Sequence, residues 1–462
     1  MSLVILAVAA ALVPSAVSAT SAAFTSQQVP QDQQAMFEAI ESNRSRHLEF
    51  LRSLIAASAN GEDEVQARVA ERFSELGAEV QTLRLMPTQL NLNQEFAAEE
   101  AIDMVERISV VGKLTGSGGG RSVLFFGHPD GEPQTEASLS GWTRDPFAAD
   151  VENGRIYGWG VADDLAGVAI MAEALDAVLS SIGRPAGDVY LGSTPAKRNA
   201  RGILALLNEG YHADAAVYLH PAESEAGLTD IKSITSGMLQ FRITVLGRPP
   251  DTREPGQTAF AHVSISAVDK ASVVLEALRK LDRGRATRVF HETLNDAVGR
   301  STNLLVSNVR CGEGSSLTQV PTECVIGVSI TFPPNEQLDA VQEEIIAAIA
   351  RAAQGDPWLA ENQPTIEWLF GTQGVEVPPE HPLYQTVHEA VRLVTGVAPV
   401  VNPLHSASDI RNPMLFRGIP SVGLGPLAGD FTQAGRFDEW VDADDYIRSI
   451  QVCAKIIADW AF

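Results

Sequence analysis

Four short apolar runs, each breaking into a turn that carries polar residues, constrain this chain more than any other feature. They are "RSVLFFGHPDGEP" (121–133), "GRIYGWGVADD" (154–164), "GDVYLGSTPAKR" (187–198) and "AAVYLHPAE" (215–223). Helical segments alternate with them. The clearest is "LAGVAIMAEALDAVLSSI" (165–182), and upstream Val65, Val69, Phe73 and Leu76 recur at helical spacing before Gly77. Strands alternating with helices predict an α/β fold: a mainly parallel sheet with helices on both faces.

The style changes after about residue 234. "SGMLQFRITVLGR" alternates with period two, and "SISAVDKASVVLEALRKLD" is helical. "STNLLVSNVRCG" and "ECVIGVSITFPP" read as a hairpin, then come the helix "LDAVQEEIIAAIARAA" and the strand "TIEWLFG". This is a ferredoxin-like β-α-β-β-α-β unit, inserted into the α/β domain. The expected organisation is a first α/β part at 41–233, the insert at 234–371 and a second α/β part at 372–462.

The start, "MSLVILAVAAALVPSAVSATSAAF", reads as a signal peptide over 1–19, although no Lys or Arg precedes its apolar run. Residues 20–40 read as a leader. Export predicts a secreted or periplasmic protein. No other stretch is long and apolar enough to span a membrane. The net charge of −24 argues against nucleic acid or an anionic membrane as partner, since both need a basic face. Cys311 and Cys324 flank the hairpin turn and admit either a disulfide or two buried thiols, whereas Cys453 sits in an amphipathic helix and reads as core.

Open α/β sheets gather their ligands at the carboxyl ends of strands. His128, Asp163 and His220 stand at such ends, and two imidazoles with a carboxylate suit a divalent transition metal. Asp130 is placed to accept from the His128 ring and orient it. The turn "STPAKRNARG" raises a separate question, because it carries Lys197, Arg198 and Arg201 without a carboxylate in an acidic chain.

The segments "FFGHPDGEP" and "GWTRDPFAADVENGRIYGWGVADDLAGVAIMAEAL" resemble the M20 family of metallopeptidases and amidohydrolases, which includes aminoacylases, glutamate-releasing carboxypeptidases and desuccinylases. The G-H-x-D, W-x-x-D-P-F and G-x-G-x-x-D elements occur in order, and the likeness runs from about 43 to 460. It implies that the insert is a lid and dimerisation domain, hence a homodimer. It also implies two metals, usually zinc. The first would be bound at the positions of His128, Asp163 and His220. The second would share Asp163 and use the second Glu of a Glu-Glu pair and a His near the C-terminus. The first Glu of that pair would be the general base.

The chain departs from this pattern at the second metal. The Glu-Glu pair falls on Lys197 and Arg198, and the C-terminal His falls on Gly435, just before Asp438-Glu439-Trp440. The lid Arg falls on Thr331 and the lid Asn on Thr318, while His262 is the imidazole nearest to the lid His. His405 and Asp409 sit in the region of the substrate loop. A dication removed from beside Asp163 leaves buried negative charge, and a Lys or Arg there restores the balance.

The expectation is therefore an atypical one-metal hydrolase, with one zinc held by His128, Asp163 and His220, acting on an amide bond of a small molecule. Lys197, Arg198, Asp130 and His405 are the candidate catalytic residues, and His262 and Asp409 the candidate substrate contacts. Arg198 would stabilise an oxyanion, and Lys197 would act as acid or base if desolvation lowers its pKa. The alternatives are a lyase or isomerase with Lys197 as base, and an inactive binding protein on the same scaffold.

Overall fold

The computed structural model describes residues 30–220, 226–312, 317–405, 407–429 and 437–462. The signal-like segment 1–19 and Gly435 lie outside these residues, as does the side chain of Arg198, whereas the latter part of the expected leader is helix Gln31–Ser42, which buries Met36 and Ile40 in the α/β core and so belongs to the fold.

The central sheet has six strands, in the order Glu79–Leu85, Arg107–Leu114, Val189–Ser193, Val123–Gly127, Ala215–Leu219 and Ser421–Leu424. The last four run parallel, and the first two join antiparallel. Val123–Gly127 and Ala215–Leu219 are buried at every position, as expected of strands covered on both faces. Side chains alternate between two cores. Phe125 and Val217 face the helices Ala166–Ser181 and Ala443–Trp460, while Leu124, Phe126 and Tyr218 face the helix Gly202–Asn208.

Helix Ala166–Ser181 lies unusually close to the sheet. A Cβ on Gly167 would come within 1.9 Å of the Leu219 carbonyl oxygen, so only glycine allows the approach. That contact brings the helix's first turn against the end of strand Ala215–Leu219, where His220 follows.

The second unit is an antiparallel sheet in the order Asn303–Cys311, Glu323–Phe332, Gly237–Leu246, Thr365–Thr372 and Glu95–Ala97. Gly237–Leu246 alternates buried and half-exposed or exposed residues, and its apolar face packs under the helices Ala267–Arg288 and Leu338–Gln354. The fifth strand, Glu95–Ala97, comes from the first α/β part, a pairing its sequence does not announce. Cys311 and Cys324 face each other across the hairpin and form a disulfide with Cα atoms 4.1 Å apart. Cys453 is buried and free. Among the described residues, no helix is long and apolar enough to cross a membrane.

Candidate active site

His128 and His220 each follow directly on a central strand, as the sequence suggests. Asp163 does not. The run before it, Arg155–Tyr157, belongs to a separate three-stranded sheet with Val151–Glu152 and Trp440–Asp442. Asp163 and Asp164 instead occupy a wide turn, Val161–Leu165, that leads into helix Ala166–Ser181. The correction has a simple cause: an apolar run of this length fits a small side sheet as well as a central strand.

Donor atoms of Asp163, Asp164 and His220 all lie within 4.8 Å of one another. Asp164 is fully buried. Its Oδ1 accepts from the His128 amide, while its Oδ2 has no hydrogen-bond partner. Burial pushes the Asp164 carboxyl up to about 6. His220 Nε2 is 3.5 Å from Asp163 Oδ1, and Lys232 Nζ is 3.0 Å from its Nδ1. Asp164 was not singled out in the sequence, although the tandem Asp163-Asp164 was the available signal.

The side chain of His128 makes two polar contacts of its own. Its Nδ1 is 2.6 Å from the Thr194 carbonyl oxygen, which can only accept, so Nδ1 carries hydrogen. Its Nε2 lies 3.3 Å from Asp409 Oδ2. Burial alone would lower the imidazole pKa, but Asp164, Asp409 and Asp130 outweigh it and raise it to about 10. His128 is influenced by Asp164 but is not among the three residues whose donor atoms all lie within 4.8 Å of one another.

Asp130 does not orient the His128 ring, because Thr194 does. Its Oδ1 accepts from the Ala196 amide at 2.9 Å, and its Oδ2 accepts from the Lys197 amide at 2.8 Å and from Arg107 at 2.7 Å. It pins the cationic turn from below.

The ammonium of Lys197 bonds to Asp163 Oδ2 and lies 3.3 Å from Glu132. Burial would lower its pKa, but Asp163, Glu132 and Asp130 overcome that and hold it above the ordinary lysine range. This corrects the expectation of a lysine tuned toward neutrality: a carboxylate in contact outweighs desolvation. The same pairing, with His220, holds Asp163 well below the usual carboxylate range against the effect of burial.

Glu439 approaches from the C-terminal part. Its two carboxylate oxygens accept from the amides of Gly160 at 2.8 Å and Ala162 at 3.2 Å, bracing the turn that presents Asp163. Burial pushes its carboxyl up to about 8. The sequence marked Asp438-Glu439-Trp440 only as a landmark.

His405 packs edge-on against His220, with ring centroids 4.8 Å apart, and its Nδ1 is buried without a partner. Burial, then Lys232 and His220, hold its pKa well below the ordinary value, so it is neutral. Asp409 reaches His128, as above, and is held by Arg411 at 2.8 Å and Asn412 at 3.1 Å. His262 is exposed on a short turn of the second unit, Thr258–Val263, and none of the contacts described for the central group includes it.

Residues 124–459 match the model of peptidase family M20/M25/M40. An N-formyl-4-amino-5-aminomethyl-2-methylpyrimidine deformylase of Bacillus subtilis is 23% identical over 438 residues, 91% of this chain and 96% of its own. A succinyl-diaminopimelate desuccinylase of Methylibium petroleiphilum is 25% identical over 79% of this chain and 86% of its own. Among solved structures, an M20 family metallo-carboxypeptidase of Sulfolobus solfataricus superposes with a TM-score of 0.62 at 17% identity, covering 93% of this chain and 99% of its own. The order of the three motifs, the inserted sheet and the match across most of the chain agree: this protein belongs to peptidase family M20/M25/M40.

Proposed function

We propose that the protein is an exported hydrolase that removes an acyl group from an amine of a small molecule, using one divalent cation where the family holds two. The observation that carries the reading is the bond between Lys197 and Asp163. A lysine seated on that carboxylate supplies a positive charge where a second cation would sit. Glu439, another carboxyl at this end, is taken up by two backbone amides.

The residues present fit a single cation. Three donors converge within 4.8 Å, and Asp164 Oδ2 is a buried oxygen with no partner. Such an atom is costly to leave unpaired, and it suits an ion. Asp163, Asp164 and His220 would hold the cation, and when bound it supplies Lewis acidity toward a carbonyl oxygen. Zinc agrees with the mixed nitrogen and oxygen donors.

The chain's own groups do the rest. Lys197 stays protonated and keeps Asp163 ionised, and this counts against its acting as the base of a lyase or isomerase. Asp164, with a pKa of about 6, suits a carboxyl that holds a proton in one state and a cation in another. Neutral His405 offers a hydrogen bond to substrate rather than a proton. His128, clamped between Thr194 and Asp409, flanks the group as a fixed donor.

Both named relatives above act on N-acyl compounds, a formyl and a succinyl amide, and this supports the substrate class. The Cys311–Cys324 disulfide suits an oxidising compartment and supports export. For the homodimer, the outer strand Asn303–Cys311 presents Leu305 and Val309 to solvent, 62% and 44% exposed.

The test is a screen of N-formyl, N-acetyl and N-succinyl amines and dipeptides with defined metals. Release of amine with one bound metal per chain is expected. Peptide cleavage with two metals would overturn the one-metal reading.

One observation favours a second reading. Lys197 on Asp163 and His128 beside Asp409 give two of the site's carboxylates a cationic partner without an ion. A binding protein without catalysis would bind the same amides, take up no metal and release no amine.

A further inference from the structure

Strand Glu95–Ala97 belongs by chain order to the first α/β part, yet it forms the edge of the second unit's sheet. Phe370 pairs with Ala97, Gly371 with Phe96 and Thr372 with Glu95. The flanks extend the seam: the Ala98 amide donates to the Leu369 carbonyl at 2.7 Å, and the Gln373 amide to Gln94 at 3.0 Å. The backbone of this segment is therefore hydrogen-bonded into the second unit.

The side chain of Glu95 points the other way. It is 3% exposed and lies between two buried arginines of the α/β domain. Oε1 accepts from Arg201 Nε at 3.3 Å, and Oε2 accepts from Arg411 Nη2 at 3.0 Å. Arg201 closes the turn that carries Lys197 and immediately precedes helix Gly202–Asn208. Arg411 donates to Asp409 Oδ1 at 2.8 Å, and Asp409 Oδ2 faces His128 Nε2. One carboxylate thus touches, through one arginine each, both sides of the candidate active site. Its backbone is tied to a different sheet.

We propose that Glu95 is a positioning residue that transmits the placement of the second unit to His128 through Arg411 and Asp409, and to the Lys197 turn through Arg201. Physically, two guanidinium groups and two carboxylates form one buried alternating chain, Arg201–Glu95–Arg411–Asp409. Buried ions of this kind hold their geometry only as a set, because removing one leaves its neighbours uncompensated. If the edge strand shifts, Glu95 shifts, and Arg411 must either follow or release Asp409. The proposal does not depend on the hydrolase reading, since it concerns the geometry of this chain's own side chains.

The test uses the full chain with histidine labelled at Cε1, observed by NMR, with the His128 signal assigned from its loss in His128→Asn. Glu95→Ala is expected to move the His128 signal in the direction produced by Asp409→Asn, although Glu95 does not touch His128. His381, at the start of helix Pro382–Thr395, should not move. In the double variant the second change should add little to the first, because both act on one chain of contacts. The melting temperature should also fall, by roughly 5 °C. Glu95→Gln keeps the volume and one acceptor oxygen. It should move the signal the same way and decides the question if the alanine variant does not fold. A lower melting temperature with an unmoved His128 signal would make Glu95 merely structural and overturn the proposal. Additive shifts in the double variant would overturn it equally.

Discussion

The ammonium of Lys197 bonds directly to the carboxylate of Asp163. In chain order helix Ala166–Ser181 and strand Val189–Ser193 separate them, and they meet because the wide turn Val161–Leu165 and the turn after Val189–Ser193 converge at one end of the sheet. The pairing fixes the ionisation of both groups and shapes what can bind beside them.

Metal stoichiometry follows from that pairing. One divalent cation per chain is expected in metal analysis of the purified protein. Asp164→Asn and His220→Ala should each lower affinity by about tenfold or more, as loss of a ligand does. Lys197→Glu should permit a second equivalent. Two equivalents in the unaltered protein would show that Lys197 does not stand in for an ion.

A pH effect on stability follows from His128. Its folded-state pKa is raised from 6.5 to about 10. A raised pKa means the folded state holds the proton more tightly than the unfolded chain, so the stabilisation is full below about 6.5 and is lost as pH rises through 10. In metal-free protein the melting temperature should therefore decline across that window. His128→Gln should flatten the decline, and an identical slope in the variant would refute the assignment.

Glu439 braces the turn beneath Asp163. Replacing it with alanine leaves two buried amides without acceptors, at a cost of about 2–5 kcal/mol. Urea unfolding should show a loss of that size, with weaker metal binding as the turn relaxes. A loss below about 0.5 kcal/mol would mean water or a neighbour takes over the role.

The Cys311–Cys324 disulfide closes a short loop, with a sequence separation of 13. Loop-closure entropy predicts about 3 kcal/mol of stabilisation. Cys311→Ala with Cys324→Ala should lose about that much in denaturant unfolding. Thiol alkylation of the unreduced, unfolded protein should label Cys453 alone. Three labelled cysteines would mean that the bond does not form.

The fold was largely legible in the sequence, and the reason is local. Buried parallel strands read as unbroken apolar runs, and the insert's strands alternate, so both patterns survive without tertiary information. His128 and His220 could be placed because each directly ends such a run.

What escaped depended on distant parts of the chain. Asp163 belongs to a turn rather than a central strand, since Arg155–Tyr157 finds its partners at Trp440–Asp442. Asp130 is two residues from His128 and suggested a ring contact, yet its carboxylate is used by the amides of Ala196 and Lys197. The sign of the Lys197 shift turned on a carboxylate in contact, which residue type and burial alone could not supply. The link from Asp409 to His128 spans 281 residues of chain by numbering and has no local signature.

The edge strand Glu95–Ala97 has a consequence for anyone who would treat the insert as a module. Excising residues 234–371 would remove the strand that Thr365–Thr372 uses to cap its outer side. The isolated piece would present bare amides and carbonyls on that side, an invitation to stack with its own copies. A transplant that keeps the fold intact must carry the segment around residue 95 as a second, separate fragment, so the unit is discontinuous even though its sequence reads as a single insertion.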